Sequence, residues 1–346
     1  MKDKLKIAIL EAEHWHAPLY FSTIKESGVE VVAISSSVDI IRKNVGEIFQ
    51  CRTYISPFEL IDKEEIGFAF AFGTHRDMPS IAKGLIARQI PFAIEKPAGL
   101  NALQVKELFD QANMANLYVA VPLVFRYGGI IEEVLKFNKG KRNFTYLNLR
   151  FVAGSPLRYI KANCSWMLNP EISGGGCTIN LSHHFIDFSL QLIDSPVKNV
   201  CAAMGNLTYG MNIEDTSTTI IEFENGALSV VETGYLFPEK SGMSRQVAYA
   251  FASPDSYIMI NDNYFRGITR EGHVEDKTID VDTDHWYPLF VREVVKDVTA
   301  VKGCTPKAGL KDLYRIMQII DAAYTSGKTG KKQMFGSNSR NAKVLL

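Results

Sequence analysis

Between Leu5 and Val121 short apolar runs alternate with longer amphipathic stretches, and this rhythm restricts the fold more than anything else in the sequence. Leu5–Leu10 predicts a buried strand, Pro18–Glu26 a helix stopped by Gly28, and Val29–Ile34 a second strand rich in β-branched residues. Phe68–Phe72, Pro91–Ile94 and Leu117–Val121 predict further strands, with helices at Met78–Arg88 and Ala102–Asn113 between them. Strands separated by helical crossovers run the same way, so the pattern predicts a parallel, doubly wound sheet.

From about Arg142 the texture changes. Phe144–Val152, Val197–Leu207, Thr216–Phe223, Ala227–Tyr235 and Gln246–Phe251 predict strands joined by turns such as Glu224-Asn225-Gly226, hence a mostly antiparallel open sheet. Two helices accompany it, near 177–193 and at Leu310–Ser326, the second with Leu313, Ile316, Ile319, Ile320 and Ala323 at helical spacing. The expected fold class is α/β plus α+β: a doubly wound parallel sheet over 1–123, and a second domain over 124–346 with helices on one face of its sheet. A chain of 346 residues gives each a core of its own.

Lys and Arg together number 38, as do Asp and Glu, so no net charge draws the chain to nucleic acid or an anionic membrane. The expected partners are small molecules and other subunits. Five scattered cysteines without CxxC spacing point to reduced thiols in a cytoplasm, with no structural metal. The apolar run Leu5–Leu10 contains Lys6 and is too short for a signal peptide or a membrane span.

Chemistry concentrates at two places. In Pro91-Phe92-Ala93-Ile94-Glu95-Lys96-Pro97 a lysine stands at the end of a strand, where ligands gather in an α/β sheet. Lys96 can donate to a substrate oxygen, and can release a proton if its surroundings lower its pKa from about 10.4. The plain alternative is an ordinary Glu95–Lys96 ion pair. After Gly174-Gly175-Gly176, a helix sets Asn180, His184 and Asp187 on one face and Leu181, Phe185, Phe188 and Leu192 on another. An imidazole suits proton transfer near neutral pH; the alternative for His183 and His184 is a satisfied structural pair.

In order along the chain, the dinucleotide-type first half, Glu95-Lys96-Pro97, Val121–Arg126, Trp166 ahead of the three glycines, the His-bearing helix, the later sheet and the closing Ala322–Lys331 resemble the Gfo/Idh/MocA oxidoreductases. The resemblance spans nearly the whole chain. It implies a Rossmann-type dinucleotide-binding domain at 1–123, a substrate-binding and oligomerisation domain at 124–346, and an NAD(P)-dependent dehydrogenase of a sugar, cyclitol or related polyol. In such enzymes the lysine works with a histidine, often with an aspartate one turn before it, to take the hydroxyl proton as hydride moves to nicotinamide. That implies catalytic roles for Lys96 and His184, with Asn180 in the aspartate position; its amide orients a substrate but is no base. The resemblance further implies cofactor contacts from Ala12, His14, Trp15, His16, Ser35, Ser36, Ser37, Arg42, Gly73, Thr74, His75, Glu95 and Lys96. Beside Lys96, Asn180 and His184, the residues Arg126, Asn163, Trp166 and His285 are weaker substrate-pocket candidates, with core packing or a surface salt bridge the alternative for each. A homo-oligomer, dimer or tetramer, through the broad face of the C-terminal sheet is also implied.

The chain departs from that pattern at its first turn, Glu11-Ala12-Glu13-His14-Trp15-His16-Ala17, which lacks glycine. Glycines let backbone approach a pyrophosphate, whereas Glu11 and Glu13 would repel it. His14 and His16 offer hydrogen bonds to phosphate, or belong to a solvated loop; no third ligand accompanies them for a metal. The second strand ends in Ser35-Ser36-Ser37-Val38-Asp39, where an acid would hold the ribose hydroxyls of NAD. Serines with Arg42 nearby lean towards NADP, Asp39 towards NAD, and Ser37 or Asp39 as a helix N-cap towards neither. His75 either lines the nicotinamide site or caps the helix near Met78. Two alternatives to a dehydrogenase stand: an NAD-using glycoside-cleaving enzyme of the same family, and a non-catalytic sugar- or nucleotide-binding protein on this fold.

Overall fold

The computed structural model describes residues 4–238, 244–300 and 303–336. They form two compact units, each assembled from separate stretches: Met1–Tyr127, Leu157–Gly174 and Asp282–Met317 in the first; Gly128–Pro156, Gly175–Val281 and Gln318–Leu346 in the second. A division at 123/124 would have assigned 157–174 and 282–317 to the second domain. Their apolar side chains explain the difference. Tyr287 and Phe290 put their rings 5.5 and 6.0 Å from that of Tyr20, Trp286 lies edge-on to Phe125 at 5.0 Å, and Val121 N–H donates to the Ala308 carbonyl at 3.0 Å.

Six parallel strands build the first unit: β1 (Lys6–Leu10), β2 (Glu30–Ser35), β3 (Arg52–Tyr54), β4 (Phe68–Ala71), β5 (Phe92–Ile94) and β6 (Val119–Ala120), in the order β3-β2-β1-β4-β5-β6. Ile7 to Leu10 and Phe68 to Phe72 are buried throughout, as a parallel sheet covered on both faces requires. Strand order reverses between β1 and β4, which marks the crevice outside their carboxyl ends as the binding position of such a sheet. The helix Pro18–Glu26, opened by its proline, follows β1 as the sequence predicts.

The second unit is a nine-stranded mixed sheet. Its strands are β7 (Tyr146–Gly154), β8 (Val197–Gly205), β9 (Thr216–Phe223), β10 (Leu228–Phe237), β11 (Arg245–Ala252), β12 (Ser256–Asn261), β13 (Tyr264–Thr269), β14 (Val274–Thr278) and β15 (Gln333–Met334), ordered β14-β13-β12-β11-β7-β10-β9-β8-β15. Every neighbouring pair is antiparallel except β7 with β10. Leu147, Leu149 and Phe151 of β7 point inward, and Phe185 and Phe188 of the helix Cys177–Leu192 cover them, with ring separations of 5.3 Å to Phe151 and 5.3 Å to Phe251. Alternate residues of the sheet face the other way, among them Tyr146, Ile220, Leu228 and Tyr257, all exposed.

Candidate active site

Lys96 follows β5 and is 2% exposed; Glu95 beside it is 1% exposed. The lysine is therefore an interior group rather than half of a surface ion pair. Burial lowers its pKa from the usual lysine range to about 8, against the pull of the Glu95 charge. Burial also raises Glu95, opposed by His14 and Lys96 and by its hydrogen bonds. Tyr20 hydroxyl donates to Glu95 Oε1 at 2.6 Å and Lys96 N–H to Oε2 at 3.1 Å; His16 Nδ1 lies 3.2 Å from that same Oε2 and 3.2 Å from the Tyr287 hydroxyl. Glu95 thus ties the turn after β1 to the lysine at the end of β5.

Three histidines line the same region of this unit. His14 stacks on Phe72 with centroids 5.8 Å apart and lies 5.8 Å from Trp166, whose ring meets the edge of His75 at 5.0 Å. His75 Nδ1 sits 2.6 Å from the Ser173 carbonyl oxygen. Burial lowers His75 to about 3 and holds His14 and His16 well below the usual imidazole range. All three are neutral hydrogen-bonding rings at pH 7. The solvated-loop reading of His14 therefore gives way to a buried one, because residues 157–174 return to cover it. His75 does not cap the helix Met78–Ala87: Asp77 is at the N-cap and accepts from Thr74 Oγ1 at 2.6 Å. Arg158 lies over the rings of Trp15 and Tyr159 at 5.8 and 4.8 Å.

The first turn keeps one property of a glycine turn, since Glu11 adopts φ 56°, where glycine is the unstrained residue. Its side chain folds back onto β2: Glu11 N–H donates to Ser35 Oγ at 2.9 Å, and that hydroxyl donates to Glu11 Oε1 at 3.1 Å. Burial first, then the Glu13 charge, raises the Glu11 carboxyl to about 8, so it is mostly protonated at neutral pH. Of the two repelling charges expected here, one is largely removed. Ser37 N–H and hydroxyl both reach Glu13 Oε1, at 3.3 and 2.9 Å. Arg42 donates to the Ser36 carbonyl at 2.9 Å and pairs with Asp39. Ser35, Ser37 and Arg42 are thus engaged within the unit and do not assemble as the phosphate acceptor that the lean to NADP supposed. Nor does Ser37 or Asp39 cap the following helix, whose N-cap is Val38 without a side-chain bond.

Arg126 donates to the Lys307 carbonyl at 2.9 Å and pairs with Asp312 at 3.0 Å, a tie between two stretches of the first unit. Asn163 sits in the left-handed region at φ 58°, and His285 is exposed. The first unit thus holds Ala12, His14, Trp15, His16, Ser35, Ser36, Ser37, Arg42, Gly73, Thr74, His75, Glu95, Lys96, Arg126, Asn163 and Trp166, while Asn180 and His184 belong to the second.

In the second unit the helix Cys177–Leu192 is buried on the face read as polar as well: Asn180, His184 and Asp187 are 5, 7 and 1% exposed. Asn180 Nδ2 donates to the Tyr235 hydroxyl at 2.9 Å. Glu214 holds the helix start, accepting from Gly176 N–H and Thr178 N–H, each at 2.9 Å, and from the Tyr324 hydroxyl at 2.8 Å. Sequence reasoning missed Glu214 and Tyr324, as it missed Tyr20, Tyr287 and Arg158 in the first unit; only the three glycines signalled that something approaches closely there. Among the described residues no group of three or more His, Cys, Asp or Glu side chains suits a metal ion, and no helix is long and apolar enough to cross a membrane.

Residues 145–250 match the family model described as the GFO/IDH/MocA C-terminal domain. Among solved structures, the WlbA dehydrogenase from Bordetella pertussis, in complex with NADH and UDP-GlcNAcA, is 15% identical with a TM-score of 0.82 over 97% of this chain and 99% of its own. An oxidoreductase from Agrobacterium radiobacter in complex with NAD+, L-tartaric acid and magnesium is 16% identical, TM-score 0.82, over 96% and 98%. Levoglucosan dehydrogenase in complex with NADH and levoglucosan is 14% identical, TM-score 0.80, over 96% and 99%. No curated protein matches in sequence. Residues 145–250 thus carry the GFO/IDH/MocA C-terminal domain, and the chain as a whole shares the fold of these solved structures.

Proposed function

We propose that the chain is an NAD-dependent oxidoreductase of a sugar or related polyol in which Lys96 takes the hydroxyl proton. One observation carries the reading: a lysine enclosed at a strand end beside Glu95, its pKa lowered to about 8, close to where a general base works best. Bound nicotinamide supplies the hydride acceptor. The residues present suit such a cofactor in part. Neutral His14 and His75 with Trp166 offer flat, uncharged walls, the turn keeps its left-handed φ at Glu11, and the buried Oε2 of Glu13 has lone pairs open to a donor. The backbone N–H groups of Ala12 and His14 are already given to Ser35 and Glu11 carbonyls, so more of the phosphate contact falls to side chains than in a glycine turn. In the second unit, His184 is the further candidate for proton transfer and Asn180 for orienting the substrate. Folds shared with enzymes bound to levoglucosan and to UDP-GlcNAcA favour a sugar-like substrate. The exposed apolar residues on the open sheet face favour self-association as a dimer or tetramer, and five free cysteines favour a reducing cytoplasm.

Thermal-shift titration tests the cofactor, because a ligand that binds only the folded chain raises its Tm. Absence of any shift with millimolar NAD or NADP sinks the reading. Lys96→Met is expected to keep the NAD shift and to lose at least about a hundredfold in turnover on any polyol the parent oxidises. The acid-filled first turn favours one rival, a sugar-binding protein without turnover, which predicts a shift with sugar and no nicotinamide reduction. Sugar release without net reduction would instead indicate glycoside cleavage.

A further inference from the structure

The end of β2 lacks the acid that ordinarily takes the ribose hydroxyls of a dinucleotide, yet a carboxylate stands there all the same, delivered by the turn after β1. Ser37 N–H and hydroxyl anchor Glu13 through Oε1 at 3.3 and 2.9 Å, which fixes the side chain beside the last residues of β2. Its other oxygen, Oε2, is buried, and besides Ser37 the side chain that reaches this carboxylate is the protonated Glu11, which leaves lone pairs open to a further donor. Buried polar atoms are rarely left so, since the lost hydration is returned only when a donor arrives. Ligand hydroxyls are donors of the right kind.

The surroundings select which ligand. Arg42, in the first turn of the following helix, is committed to Asp39 and to the Ser36 carbonyl. Glu11 leans on Ser35 and is mostly protonated at neutral pH. The corner therefore carries the negative charge of Glu13, with Arg42 already committed to other partners. A vicinal diol suits that arrangement, because a carboxylate accepts from both hydroxyls; a phosphate monoester, with a charge of about −1.5 to −2, is repelled.

We infer that Glu13 receives the adenosine ribose hydroxyls of NAD and excludes NADP, an acid supplied from the first turn in place of one at the end of β2. The inference rests on the NAD-dependent reading and sharpens it to one residue and one cofactor. It also explains why a carboxylate is retained in a turn that would otherwise bring only backbone to a pyrophosphate.

Isothermal titration calorimetry on the full chain tests it without any substrate. The parent is expected to bind NAD at least about thirtyfold more tightly than NADP, and to bind the 2′-deoxyadenosine analogue of NAD about tenfold more weakly than NAD. In Glu13→Gln the NAD/NADP ratio is expected to fall below about threefold, with the analogue binding as well as NAD. Ser37→Ala, which loosens the anchor, is expected to lower the ratio to an intermediate value. NAD binding by the parent with no preference over NADP or the analogue overturns the inference and leaves the oxidoreductase reading standing. A preference that persists in Glu13→Gln overturns it equally. If the parent binds neither dinucleotide, both fall.

Discussion

Lys96 and Glu11 carry opposite charges, and burial drives both towards their neutral forms. For a base this is useful. The free amine of Lys96 grows as pH rises through about 8, so kcat/KM for polyol oxidation is expected to climb about tenfold per pH unit below that value and to level above it. A profile flat from pH 6 to 9 would remove Lys96 as the base. For Glu11 the consequence is one of stability. Its carboxyl is raised from 4.5 in the unfolded chain to about 8 in the fold, so between those values the folded state holds a proton that the unfolded state has released. Stability linked to it is full below 4.5 and is lost as pH rises through 8. Glu11→Gln is therefore expected to gain on the parent as pH rises, by about 2 kcal/mol at pH 9 once partial exposure is discounted. Urea unfolding at pH 5 and pH 9 reads the difference; a gap that does not widen contradicts the buried acid. Lys96 and Glu95 were legible as neighbours of interest because their positions follow from local pattern. The neutrality of Glu11 and of the three histidines was not, since it depends on burial by Trp166 and other residues far along the chain.

The helix Cys177–Leu192 shows the same limit one level up. Its extent could be read from periodicity to within a residue, and its glycines from composition, but its N-terminal cap comes from Glu214, which lies 38 residues beyond Gly176. A Cβ added at Gly176 would stand 2.1 Å from the Glu214 carbonyl oxygen, and backbone there has no room to yield because Cys177 N–H is bonded to that same oxygen at 3.1 Å. Gly176→Ala is expected to cost about 3 kcal/mol or more. Glu214→Gln removes a charged acceptor from a helix N-terminus and is expected to cost about 1–2 kcal/mol. Urea midpoints rank the two; a Gly176→Ala protein as stable as the parent would mean that the helix start is looser than this geometry. Strand β14 escaped the sequence for a different reason. Val274–Thr278 is nearly all polar and no residue of it is buried, so it has no hydrophobic alternation to betray it, and only pairing to its neighbour makes it a strand.

At the scale of the whole chain the two sheets could be anticipated, because each has its own period, but the allocation of chain to units could not. Residues 282–317 follow the second sheet in sequence and join the first unit in space. Periodicity reports which face of an element is apolar, not which core that face enters. The helix Tyr287–Thr299 illustrates this: its buried Tyr287, Phe290, Val291 and Val294 would suit either unit, and it lies against Pro18–Glu26. Without residues 282–317 Tyr20, Phe125 and Val121, all at most 2% exposed, lose part of their cover, at about 1.5–3 kcal/mol for each large side chain laid bare. That sum is comparable to the whole stability of an ordinary domain. A fragment of residues 1–123 is therefore expected to retain helical far-ultraviolet dichroism while lacking near-ultraviolet structure and cooperative unfolding. Joining 1–127, 157–174 and 282–317 through flexible linkers is expected to restore a single sharp transition. Cooperative, reversible urea unfolding of 1–123 alone would show that the returning stretch decorates the first core and does not complete it.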